Sequence, residues 1–151
     1  MTMRLLTATL TGLALAAIPS VALEKEFVSQ MMDSAKNIER DASLVSAAVR
    51  LKNLDAEDVR KKIEAMSADL AKLQELVNSY EASHPKLSAR DQQDWQALKE
   101  KVQLLEIFHG QKKQLAAGDF SKNRGLIRAH ADGVVRRAKM LQQTVARLQR
   151  S

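Results

Sequence analysis

His109 and His130 are the residues whose spacing comes closest to a chemical site. A turn is expected near Asp119, and each histidine lies about ten residues from it, so an antiparallel helical hairpin would set both at one level. Glu106 precedes His109 by three residues. That Glu-x-x-His spacing projects a carboxylate and an imidazole from consecutive turns of one helix, as in di-iron bundles. Such a centre needs ligands from the other helices. Asp41 and Glu64 fall at a similar height, but Ile127 stands three before His130, so a second Glu-x-x-His is lacking. A metal- or haem-binding bundle using Glu106, His109 and His130 is therefore the alternative reading, and a boundary or hydrogen-bonding role for the histidines is the main one. His84 precedes Pro85 and belongs to a turn. A haem held between Met31 or Met32 on the first helix and a histidine late on the fourth lacks its second ligand, because His130 lies at the opposite end. No cofactor is expected.

A second pattern is electrostatic. Residues 121–150 carry eight bases and one acid, a net +7, whereas residues 23–120 carry 15 bases and 17 acids, a net −2. On a helical wheel Arg128, Arg136, Lys139, Arg147 and Arg150 lie away from the apolar seam and form a basic stripe. Gly125, Ala129 and Gly133 recur every fourth residue on the same outer side, which would admit a close approach by another surface. An anion-binding face suits an acidic protein, anionic lipid headgroups or a cell-envelope polymer. Nucleic acid is disfavoured by the export signal described below and by an aromatic content of 3%, too low for stacking on single strands.

Catalytic signatures are thin. Cysteine is absent, which excludes thiolate zinc sites, iron–sulfur clusters, a cysteine nucleophile and a lipid-modified N-terminal cysteine. No Gly-rich phosphate loop, G-x-S-x-G elbow or H-E-x-x-H occurs, and no nucleophile has a base beside it in sequence. The chain is not expected to be an enzyme.

The elements that would position these residues are helices. The 151 residues suit one domain, and 45% hydrophobic residues with only 5 Gly and 2 Pro fit a helical bundle. The first 22 residues read as a signal peptide: Arg4, an apolar stretch over residues 5–18, a break at Pro19, and Ser20-Val21-Ala22 before a cut ahead of Leu23. A periplasmic or secreted location follows. No later stretch is apolar enough to span a bilayer, so an integral membrane protein is not expected.

Residues 56–80 carry the most regular seam: Ala56, Val59, Ile63, Met66, Leu70, Leu73, Val77 and Tyr80, in unbroken steps of three and four. Asp55 is the expected cap, with Leu54 and Val59 as a hydrophobic staple. The first helix, about 24–52, has a seam from Phe27 through Met31, Ala35, Ile38, Ala42 and Val45 to Val49. The third, about 89–117 and capped by Ser88, spreads Trp95, Leu98, Val102, Leu104, Leu105, Ile107, Phe108 and Leu115 over a wider arc, with Lys101 and Lys112 expected to bury their stems and keep their ammonium groups in water. Gly118 should stop it. The fourth, about 121–149, repeats Ile127, Ala131, Val134, Ala138, Leu141, Val145 and Leu148. Short turns between helices of equal length predict an up-down-up-down antiparallel four-helix bundle over residues 23–151, either monomeric or completed as a homodimer of long hairpins. The expected function is an envelope binding or interaction module acting through the basic face of the fourth helix.

Overall fold

The computed structural model describes the backbone of residues 20–148 and the side chains of residues 25–148. Four helices follow in order: α1 (Ser20–Ala48), α2 (Ala56–Ser83), α3 (Ala89–Ala117) and α4 (Phe120–Leu148). Each packs against its sequence neighbours, and α1 closes the ring against α4, so one chain supplies the whole four-helix bundle. Residues 1–19 of the predicted signal peptide, and Arg150, lie outside the described residues. Ser20, at the expected exit of that segment, is already the first residue of α1.

The predicted seams form the core. Met31, Ala35, Ile38, Ala42 and Val45 of α1 are fully buried, as are Val59, Met66 and Leu73 of α2 and Ile127, Ala131, Val134, Ala138, Leu141 and Val145 of α4. The backbones of α4 and both its neighbours, α3 and α1, come close over much of their length, those of α1 and α2 less, and those of α2 and α3 least. Small buried residues on α4, Ala131, Gly133 and Ala138, permit the close approach of its neighbours, while the large seam side chains that α2 and α3 turn on each other hold that pair apart.

Helix ends are fixed by identifiable groups. The Asp55 carboxylate accepts from the Glu57 and Asp58 amides at 2.9 and 3.2 Å. Ser88 accepts from the Asp91 amide at 3.2 Å, and Asp119 accepts from the Lys122 amide at 3.2 Å. Gly118 ends α3 with φ of −82°, so its value there is not a left-handed backbone. The first helix stops four residues short of the expected Lys52. Arg50 and Leu51 donate back to Ala47 and Ala48 in a tightened last turn, and Arg124 of α4 donates to the carbonyls of Val49 and Leu51. A guanidinium thus satisfies acceptors that a further helical turn would have used. Arg60 acts likewise on α3, donating to the Ala116 carbonyl at 2.9 Å.

Candidate functional site on the α3–α4 hairpin

The third helix departs most from its sequence reading. Its buried residues are Trp95, Leu98, Val102, Leu105, His109, Lys112 and Ala116. Those positions step by three and four without a break, so α3 has a strict heptad seam after all. Two of its seven places are held by ionisable residues, which is why apolar residues alone showed a broad arc. Leu104 and Ile107, expected to help form the apolar face, are 42% and 54% exposed.

Lys112 is wholly buried, so its ammonium does not reach water as expected. Its Nζ donates to the Met66 sulfur at 3.3 Å, a weak acceptor for a group with three donors. Burial pushes the Lys112 amine down to about 7, with Asp41 of α1 opposing the shift. Asp41 itself is bonded by Arg40 at 2.8 Å. The helix geometry explains the trap. A side chain at a core position of a closed bundle has all four helices around it and no path along which its stem can snorkel.

His109 occupies the turn before Lys112 and is 6% exposed. Its Nε2 lies 2.8 Å from the Ser67 hydroxyl on α2, while its Nδ1 is buried without a partner. Burial, reinforced by Lys112 and Lys113 and opposed by Glu64, pushes its imidazole down to about 4. A serine beside a histidine is the arrangement of a hydroxyl nucleophile with its base, and no local pattern signals it because the two lie 42 residues apart. The pair is nonetheless poorly suited to acyl transfer. Nothing holds Nδ1–H, so the ring is not oriented as a base, and a histidine titrating near 4 is a weak one. Ser67 sits inside α2, where backbone amides serve the helix and cannot form an oxyanion hole. The contact works as a tether between α2 and α3.

The proposed metal ligands do not converge. His130 does stand at the expected level, its ring 5.6 Å from that of Phe108, the neighbour of His109. It faces Phe108, however, while His109 faces Ser67 on α2 and Glu106 is exposed. Among the described residues, no group of three or more His, Asp and Glu side chains is placed to hold a metal ion.

The basic stripe divides in two. Arg128, Arg136, Lys139 and Arg147 are all exposed. On the side of α4 next to α1, Lys139 lies 3.6 Å from Glu39 and Arg128 lies 3.9 Å from Asp132. Asp132 in turn accepts from Ser46 of α1 at 2.5 Å, and Gln142 donates to Glu39 at 2.6 Å. Those charges are partly neutralised within the bundle. On the side next to α3, Arg137 places its guanidinium 3.5 Å above the Phe108 ring, and Arg136 points outward.

Gly133 does not lie open on the outer side as expected. A Cβ there would stand 3.0 and 3.1 Å from ring carbons of Phe108, so the glycine is the floor on which that ring rests. Gly125 has nothing within 4 Å and does face open space. Around Phe108 and Gly133 the surface is apolar. Leu126 and Met140, seven residues before and after Gly133 and hence on its line along α4, are 54% and 51% exposed. Leu104 and Ile107 flank Phe108 on α3. Four of the six large hydrophobic residues exposed among the described residues thus gather on this face, beside Arg136 and Arg137. No family model matches the chain, and neither a curated protein nor a solved structure matches it significantly.

Proposed function

We propose that this chain is an exported helical-bundle binding module that engages an anionic partner through the outer face of α4. The observation that carries the reading is the uneven charge: residues 121–150 carry a net +7, whereas residues 23–120 carry a net −2. The exposed apolar residues beside Arg136 and Arg137 support the same face as a contact surface. Export rests on the N-terminal pattern of Arg4, the apolar residues 5–18, Pro19 and Ser20-Val21-Ala22. Among the described residues no helix is long and apolar enough to cross a membrane, which suits a module that acts after release from its leader.

The buried polar residues fit a scaffold role in this reading. His109 with Ser67, and Lys112 with Met66, fix the packing of α3 on α2 and so hold α3 and α4 in register behind the contact face.

The test is retention on an immobilised polyanion as salt is raised. A basic face releases counterions on binding, so affinity should fall steeply between low and high salt, and Arg136→Gln should reduce retention. Retention that ignores salt, or that is unchanged in a variant lacking Arg128, Arg136, Lys139 and Arg147, would remove the electrostatic reading.

A further inference from the structure

The α3–α4 face carries more information than charge. Leu126, Gly133 and Met140 recur at heptad spacing on α4, and Leu104 and Ile107 stand beside Phe108 on α3. Exposed apolar side chains at Leu126 and Met140, two heptads apart with the Phe108 ring lying over Gly133 between them, form a stripe along two antiparallel helices of the kind a third helix packs against. From Leu126 to Met140 the line runs 14 residues, about 21 Å, close to four turns of a helix. Phe108 at its centre packs against Gly133, where a Cβ would meet its ring carbons, and against the Arg137 guanidinium, so the middle of the stripe is already ordered.

Charge selects the kind of helix. Arg136 and Arg137 lie at the centre, Arg147 follows Met140 on the same line, and Glu100 and Asp94, the latter on the line of Phe108, are the acids on the neighbouring part of α3. The surrounding charge is therefore positive, which disfavours a second copy of the same face and favours an acidic occupant. A lipid surface fits less well. Interfacial segments anchor with Trp or Tyr at the headgroup level, whereas Trp95 is buried in tilted contact with Tyr80, its ring centroid 4.5 Å away.

We infer that this face docks an acidic amphipathic helix of another protein, its apolar stripe on Leu104, Ile107, Leu126 and Met140 and its carboxylates toward Arg136 and Arg137. The inference rests on the basic-face reading above and names its partner. Such a helix presents leucine-like residues at three-four spacing and glutamate or aspartate on the flanks.

The experiment uses the cleaved full chain and three probes at one salt concentration. The first is a labelled peptide of about 18 residues with leucine at three-four spacing and glutamate elsewhere. The second has the same composition with the apolar phase scrambled, and the third is a phosphatidylglycerol vesicle. Fluorescence anisotropy should show the amphipathic peptide binding at least about tenfold more tightly than the scrambled one. Ile107→Asn with Met140→Gln, which leaves charge unchanged and alters only exposed positions, should lower that affinity by about tenfold or more. Circular dichroism verifies that the variant keeps its fold. Equal binding of the two peptides overturns the helix partner and leaves the basic face standing. Vesicle binding without peptide binding does the same and makes the partner a lipid surface. Binding of none of the three overturns both readings.

Discussion

Replacing Lys112 with methionine should stabilise the bundle by an amount that depends on pH. The amine is fully buried against the Met66 sulfur, and burial brings it down to about 7 from an ordinary 10.5. In the unfolded chain it keeps its proton up to about pH 10.5. Between these values the unfolded state binds more protons than the folded one, so stability rises with pH across that window. Below pH 7 both states are protonated and the folded protein carries the full cost of a charged amine in its core. The separation of 3.5 pH units between the two values corresponds to about 4–5 kcal/mol. Methionine fills a similar volume without a charge, so Lys112→Met should add about 3–4 kcal/mol at pH 6.5, and most of that gain should vanish at pH 10. Urea unfolding followed by the fluorescence of Trp95, the single tryptophan, measures both proteins across the range. All other groups titrate in common, so the difference between the two curves isolates Lys112. Parallel curves, within about 1 kcal/mol of each other from pH 6.5 to 10, would refute the reasoning. Asp41→Asn provides a second check: it removes the one charge that favours the ammonium and should shift the onset of the rise to lower pH.

Other expectations follow from single contacts. His109 titrates near 4 when folded and 6.5 when unfolded, so stability should fall as pH drops through 6.5 toward 4. A His109→Gln variant melted at pH 7 and pH 4.5 should lose much of that drop; an unchanged drop would assign it to other groups. Gly125→Ala and Gly110→Ala meet open space and should each stabilise by about 0.5–1 kcal/mol, while Gly133→Ala presses a Cβ on Phe108 and should be neutral or destabilising by up to about 2 kcal/mol. Equal gains at all three glycines by thermal melting would contradict the Phe108 contact. Arg124→Ala leaves the Val49 and Leu51 carbonyls without their guanidinium and should cost about 1.5–3 kcal/mol, seen by urea unfolding, with exchange of the amides near the end of α1 rising.

The fold was largely legible because three of the four seams are written in apolar residues alone. Steps of three and four through Val59, Ile63, Met66, Leu70, Leu73 and Val77 predict burial, and all six are buried. Asp55 and Ser88 were readable as caps because a cap is local chemistry between residues two or three apart. The fourth seam hid its register. His109 and Lys112 hold core positions, and ionisable residues there do not register as apolar; extending the three-four step past Leu105 would have found them. The end of α1 escapes a local pattern for a different reason. Arg124 lies more than 70 residues from the carbonyls it binds, and no local pattern encodes that contact.

On the surface, the basic stripe was visible from composition, but its division was not. Glu39 and Asp132 temper the α1 side, and only packing brings Glu39 to Lys139. Gly133 looked like an opening to the outside because small residues recurred on that line. Its neighbour across the hairpin, Phe108, was counted with the core and instead lies half-buried over the glycine. The features that distinguish the α3–α4 face are thus relations between helices rather than within one.

The most direct measurement of the central claim removes two charges from either side of α4 and compares the loss. Arg136→Gln with Arg147→Gln alters the side continuous with the apolar face; Arg128→Gln with Lys139→Gln alters the side next to α1. Both pairs lower the net charge equally, so a diffuse field would weaken binding of the acidic amphipathic peptide equally in each. A contact face on the α3 side predicts about a tenfold or greater loss for the first pair and about a threefold or smaller loss for the second, at one salt concentration. Equal losses, or a larger loss for the Arg128 and Lys139 pair, would contradict it.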